Sequence, residues 1–442
     1  MNFIVIFPQK KAFRMNNPFS VANRGKGVIG VFARSGAIIQ RYGLTNTKMS
    51  AAFSQLIEVL NEFDCSATLP VTASPLSRNL SLGHRLQSQG LELAVHGNTH
   101  VDYSHQSFEQ QVEQIDQANQ VFKQSGISVS GFRCPYLRWN METLKAVSEL
   151  GFKYDSSQAL AWNLVGGKLT DSYHRVLEFY NAQKSEEYPS LPRMVDNLVR
   201  IPYCLPDDEA LVERFKMDNQ IDIADIWLAM LDRIYDAGEL FSLGLHPERI
   251  FHCIDALRAV LVKARSLSPI VWIARLDEIA TWYRSLGEVS FTSHSQNDGR
   301  THICINAPLR ATLLARSIDI RCPKKTWAHG YDHILSNEFD FDCDHHPWIG
   351  LAPDCPDLLK NFLQHQGFLV EISSNPSAFY YYFQQNNFDY KDERPLLAEL
   401  ESGNYPLLRI GRWPSGAQAA LAITGDVDAF NLVDYGLRLW NR

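Results

Sequence analysis

The chain has 442 residues with 42 Lys and Arg against 49 Asp and Glu, a net charge of −7, and is 45% hydrophobic and 21% charged. That length holds two or three domains with a sizeable core, and the charged fraction is ordinary for a globular protein. The acidic balance and the lack of any Lys/Arg-rich run exclude a general nucleic-acid binder, so no nucleic-acid partner is expected.

The first apolar run, FIVIF, is too short for a signal segment or a membrane span, and no later run is long enough to span. It reads as a strand or a leader, with Met15 as an alternative start. Residues 1–48, including GVIGVFARSGAII, have no assignable place. Eight cysteines are scattered, none in a C-x-x-C pair, which points to reduced thiols and a cytoplasmic protein.

From 49 to 287 strands and helices alternate. MSAAFSQLIEVLNEF has apolar residues at helical spacing, CSATLPVTA reads as a strand, SRNLSLGHRLQSQG as a helix closed by Gly90, and LELAV as a strand. The helix SFEQQVEQIDQANQVFKQSG carries a capping box, Ser107 with Gln110, and Gly126 past its end. SVSGFRCP is a strand, NMETLKAVSELG a helix with Asn140 as cap, and FKYDSS a strand. An irregular stretch follows over 158–197. Then come VRIPYC, IADIWLAMLDRIYDAG, LFSLGLHP, FHCIDALRAVLVKARS, PIVWIARL and LDEIATWYRSLG, again strand and helix in turn. The alternation predicts βα units in a parallel sheet or barrel. Past Gly287 the texture changes, with a hairpin predicted around Asp298-Gly299. Residues 288–405 are expected to form a smaller additional domain, and 406–442 return to the strand-then-acid pattern.

Chemically useful groups fall where predicted strands end: His96 after LELAV, Arg133 after SVSGF, Asp155 after FKY and His246 after LFSLGL. In a parallel barrel that rim is where active sites form. His96 and His100 flank a His-Gly-Asn-Thr-His turn, with Gly97 permitting a tight bend. Their natural partners lie near the other end of the chain, where Asp426 and Asp428 follow the apolar run 419–423; the first 63 residues contain no Asp. Two His and one carboxylate can hold a divalent ion with positions left open. Side chains two apart on an extended segment share a face, so one Asp can bind metal while the other takes a proton. Read alone, D-x-D is a polar turn and a lone His is structural; the strand-end framing joins them.

Arg133 in FRCPY pairs with a carboxylate or makes a surface salt bridge. Pro135 and Tyr136 stiffen and line its loop. His246 suits a general acid near neutral pH, or is a structural His. Asp155 orients His246, closes the pocket or caps a loop. The run YDHILSNEFDFDCDHH, with Asp332, His333, Asp340, Asp342, Asp344, His345 and His346, reads as a solvated acidic loop.

Together the motifs HGNTH, FRCPY, LGLHP and ITGDVD resemble those of the polysaccharide deacetylases, the NodB-homology or carbohydrate esterase family 4 group. The resemblance covers about 49–287 and 410–442. It implies a distorted parallel (β/α) barrel with an additional domain. The family's Asp strand comes first, whereas here it comes last, so a circular permutation is implied. It also implies His96, His100 and Asp428 as metal ligands, most simply of Zn2+, with Asp426 as base, Arg133 holding it and His246 as acid. Tyr136, Pro135, Asp155 and Trp162 would line the substrate site, Trp162 with YDSS being a loose match to the family's Asp/Trp motif. The expected reaction is removal of N-acetyl groups from a sugar or glycan by metal-activated water. Two other classes fit parts of the pattern. A set of two His and one carboxylate also suits a non-haem Fe(II) oxygenase, although the β/α alternation argues against its usual scaffold. A non-catalytic glycan-binding module would need no base.

Overall fold

A computed structural model of the protein describes residues 41–164 and 170–440. The FIVIF run, Met15 and most of the 1–48 segment lie outside the described residues. Seven parallel strands close into a ring: Tyr154–Ala161, Gly131–Phe132, Glu92–Val95, Thr68–Val71, Ala419–Gly425, Leu240–Leu245, Leu198–Leu205, and back to Tyr154–Ala161. Helices such as Thr47–Glu62, Phe108–Gln124, Gln220–Asp236 and Ile254–Ser266 surround them and bury one apolar face each. The predicted α/β barrel is therefore present.

The C-terminal strand is part of that ring. AALAITG is buried at every residue, as a strand covered on both faces must be. It pairs with Leu240–Leu245 from Ala420↔Leu240 to Gly425↔Leu245, and with Thr68 through Thr424. Its lower half is also flanked by Val271–Ile273. It therefore lies beside the strand of CSATLPVTA and not beside that of LELAV. Glu92–Val95 occupies the other edge of Thr68–Val71, the position next to a strand that a short βα connection reaches first.

Local signals place most helix ends. Ser107 and Gln110 form the predicted capping box, and Asn140 caps Met141–Glu149. SRNLSLGHRLQSQG differs: its helix is only Leu80–Ser88, with Asn79 as its N-cap, and the short helix Ala73–Ser77 precedes it. The stretch 158–197 is less irregular than its sequence implies. Tyr154–Ala161 continues to Ala161 because Gln158–Ala161 pair with Pro202–Leu205, and Asp171–Tyr180 is a helix capped by Thr170.

Among the described residues three smaller sheets lie beyond the barrel, including the expected hairpin of Ser290–Ser295 with Thr301–Asn306 around Gly299 at φ 88°. The expected acidic loop is a correction. Tyr331–Ile334 and Glu338–Asp342 are strands of different sheets, and in EFDFD the two Phe are buried while the acids face outward. That is the period of two of a half-buried strand. Leu407–Ile410 still pairs with Leu313–Arg316 in these sheets, and the chain re-enters the barrel at Ala419. One apolar cluster runs from Leu240, Ala420 and Ala422 through Ile279 and Trp282 to Leu313, Trp348 and Leu407, so the added sheets share a core with the barrel. Among the described residues no helix is long and apolar enough to cross a membrane.

At the end of the barrel opposite the rim, Glu92 is buried at the start of its strand. Its carboxylate accepts from Thr68 Oγ1 at 2.6 Å, Tyr154 OH at 2.8 Å and the Asp277 N–H at 3.1 Å. Burial, then Asp277, push its pKa up to about 7. Removing the acceptor strands two buried donors and a part-buried one, so Glu92→Ala should cost about 3 kcal/mol in urea unfolding. A loss below about 0.5 kcal/mol would show that these donors relax onto other partners.

Candidate active site

The site forms where the barrel strands end. The His96 N–H donates to Val71 O at 3.0 Å, extending the ladder by one residue and fixing the start of the HGNTH turn. Gly97 has φ 77°, and a Cβ there would meet Tyr103 OH at 2.9 Å and Pro135 Cγ at 3.2 Å, so the bend needs glycine. Asp426 N–H donates to Leu245 O and Val427 N–H to Pro70 O, which carries the Asp motif over the rim.

His96, His100 and Asp428 meet despite their separation in sequence. Asp428 Oδ1 lies 3.1 Å from His100 Nε2 and 3.5 Å from His96 Nε2. The three donor atoms lie within 4.8 Å of one another. His96 Nδ1 is engaged with the Arg133 carbonyl at 2.9 Å, which leaves Nε2 as the inward lone pair. Burial, then Arg438, pull His100 down to about 3, so its imidazole is neutral. Burial alone would raise Asp428, but His100 and then Arg438 hold it well below the carboxylate range. Two imidazoles and one carboxylate oxygen converging in this way could hold one metal ion.

Asp426 sits beside this trio, with Oδ2 3.9 Å from His96 Nε2. The fully buried Arg133 donates to its other oxygen at 2.6 Å, and to Thr424 Oγ1, Ser156 O and Ser156 Oγ at 3.0, 3.0 and 2.9 Å. The guanidinium also lies 4.7 Å over the Tyr203 ring. Arg133 is thus clamped behind Asp426 and is no surface ion pair. Burial opposes ionisation of Asp426, but Arg133, His96 and His246 keep it lowered.

His246 follows Leu240–Leu245 at the same rim. Its Nδ1 and its backbone N–H each lie 2.7 Å from one oxygen of Asp208. Burial would lower its pKa, but Asp208 carries it up to about 10, which makes it an imidazolium at neutral pH. Asp207, Asp208 and His246 also cluster closely enough to bind an ion. There, however, the imidazole and Asp208 are spent on each other, so the group is an ion pair.

Tyr136 lies edge-on to His100 at 4.1 Å in a loop stiffened by Pro135, with φ 59°. Its hydroxyl accepts from Arg438 Nη2 at 3.0 Å, and Arg438 Nη1 donates to Asp428 Oδ2. Arg438 therefore holds the oxygen of Asp428 that faces away from the imidazoles.

Two expectations are corrected. Asp155 does not orient His246: it is fully buried, bound by Arg200 at 3.3 Å and by the Ser157 hydroxyl. Trp162 packs into the barrel core with its backbone N–H on Leu205 O at 2.9 Å; an indole there gains more from burial than from facing a wet site. The residue that does orient His246, Asp208, went unnoticed. Its signal was present, since the acids of LPDDEA follow the strand Leu198–Leu205 as the other site groups follow theirs. Arg438 had no signal, being one cation in an amphipathic helix, Leu432–Trp440.

Residues 43–154 match the family model described as polysaccharide deacetylase. The family model and the resemblance drawn from the motifs thus name the same family, and the matched stretch includes His96, His100 and Arg133. Among solved structures, a probable polysaccharide deacetylase from Pseudomonas aeruginosa PAO1 is 21% identical with a TM-score of 0.43, over 53% of this chain and 73% of that one. The Puue allantoinase is 20% identical with a TM-score of 0.43, over 53% and 72%. No curated protein matches the chain.

Proposed function

We propose that the protein is a metal-dependent hydrolase that removes N-acetyl groups from a sugar or glycan. The family match supports deacetylase chemistry. The observation that carries the finer reading is the flanking of the three donors by a held carboxylate, Asp426 on Arg133, and a held imidazolium, His246 on Asp208. A binding module needs neither group, and an oxygenase has no use for the pair.

His96, His100 and Asp428 would hold the divalent ion, most simply Zn2+, which when bound supplies an acidified water and polarises the acetyl carbonyl. Asp426, kept ionised by Arg133, takes the proton of the attacking water. A backbone N–H near Tyr136 donates to the developing oxyanion. His246 delivers its proton to the departing amine, and Asp208 keeps the ring turned so that Nε2 carries it. The place of Ala419–Gly425 between Thr68–Val71 and Leu240–Leu245 supports a permuted order of the family barrel. All eight cysteines are free thiols, which supports a reducing, cytoplasmic setting.

Acetate release from N-acetylated glycans, measured with the metal removed and restored, tests the reading. Activity that does not depend on metal would overturn it. The His246–Asp208 pair adds a pH signature. Folded His246 holds its proton to about 10 against an ordinary value of 6.5. The pair therefore stabilises the fold fully below 6.5, and that stabilisation is lost as pH rises toward 10. In Asp208→Asn the alkaline fall of kcat should move down toward 6.5. An unmoved limb would show that His246 is not the acid.

A further inference from the structure

The two aspartates of ITGDVD are each held by an arginine, from different sides. Arg133 meets Asp426 from the end of the barrel strand Gly131–Phe132. Asp428 lies past the end of Ala419–Gly425, and the last torsion of its carboxylate is soft, so a partner must set which oxygen faces the imidazoles. The guanidinium that meets it comes from the last turn of Leu432–Trp440, where a helix favours a cation.

That helix is pinned close to the site. Asp434, one turn before Arg438 and on the same face, is buried and accepts from Arg78 Nε at 2.7 Å and from Asn79 Nδ2 at 3.0 Å. The Leu432 N–H donates to Gly43 O at 2.9 Å. The guanidinium is fixed in turn. Nη2 donates to Tyr136 OH at 3.0 Å, and the group lies 5.4 Å from the ring centres of Tyr136 and Tyr435. Nη1 is thereby aimed at Asp428 Oδ2. Oδ1 is the oxygen that lies 3.1 Å and 3.5 Å from the Nε2 atoms of His100 and His96. The two oxygens of one carboxylate thus have different partners, and a charge-assisted bond to a guanidinium draws on the charge of Oδ2.

We propose that Arg438 is a positioning residue that presents Asp428 to the metal ion through Oδ1 alone. The inference rests on the metal reading above. A carboxylate that binds through both oxygens fills two positions on an ion, and one held at Oδ2 fills one. Arg438 thereby keeps a further position open for water or the acetyl carbonyl, which a catalytic site needs and a closed structural site does not. Partners behind a metal ligand orient it in this way and tune its affinity.

The test is X-ray absorption at the zinc edge of the whole protein loaded with Zn2+, with affinity read by chelator competition. The distance from zinc to the carboxylate carbon is long when one oxygen binds and short when both do. Wild type should give the long distance and Arg438→Met the short one; Met keeps an apolar stem but has no charge. Arg438→Lys, which still offers a cation to Oδ2, should restore the long distance. The affinity of Arg438→Met should fall by no more than about tenfold, well short of the loss in Asp428→Ala. A fall equal to that of Asp428→Ala would mean that the ligand is lost rather than re-aimed, and overturns the proposal. So does an unchanged distance in Arg438→Met. A short distance in the wild type overturns it even if Arg438→Met fails to fold. A wild type that binds no zinc, or binds it equally well as His96→Ala, sinks the metal reading itself, which separates the two failures.

Discussion

Asp426→Asn should lower acetate release by about a thousandfold while the protein keeps its metal, the size expected for loss of a general base. Asn is isosteric, and its amide oxygen can still accept from Arg133, which now lies 2.6 Å from Asp426. The fold and the donors on His96, His100 and Asp428 should therefore survive. What the variant lacks is a proton acceptor. Asp428→Ala should do the reverse: it removes the oxygen 3.1 Å and 3.5 Å from the two imidazoles, so metal content should fall first and activity with it. It also leaves the half-buried Arg438 without its carboxylate, and a modest loss of stability should accompany the loss of metal. Metal analysis and turnover on the same preparations separate the two effects. If both variants load metal and work normally, the ITGDVD segment is only a strand-ending turn.

What the sequence made legible was governed by short-range rules. Alternating strands and helices, caps such as Ser107 with Gln110, and polar groups just past apolar runs each depend on a few neighbouring residues, and these appear in the structure except at Asp155, which lies near the start of Tyr154–Ala161 and not past a strand's end. The two-residue spacing of Asp426 and Asp428 was readable for the same reason. What failed depended on partners distant in sequence. Tyr154–Ala161 is longer than FKYDSS because Pro202–Leu205 extend alongside it. Trp162 is drawn into the core, and Arg438 reaches Asp428 from a helix whose docking no local pattern reveals. Asp208 is a different kind of miss, since the strand-end rule that found His246 applied equally to LPDDEA. EFDFD is another, its strict alternation being hidden by its charge.

Deleting residues 419–442 should abolish both activity and cooperative folding. The Ala419–Gly425 strand is buried at every position and is bonded on both sides, to Leu240–Leu245 along its length and to Thr68 and Val271–Ile273 on the other edge. Its removal opens the ring and leaves backbone groups of Leu240–Leu245 facing a void rather than water. Burial of Leu421 and Ile423 alone is worth about 1.5–3 kcal/mol each. The deletion also removes Asp434, which accepts from Arg78 at 2.7 Å and from Asn79 at 3.0 Å. These losses together rival the roughly 5–15 kcal/mol by which a domain is stable at all. The truncated chain should therefore show no sharp calorimetric transition, and adding metal should not restore one. The competing view treats the last residues as a dispensable extension, as chain ends often are. It predicts an unchanged melting transition and full acetate release. That outcome would place the catalytic carboxylate elsewhere and end the case for a site shared between the two ends of the chain.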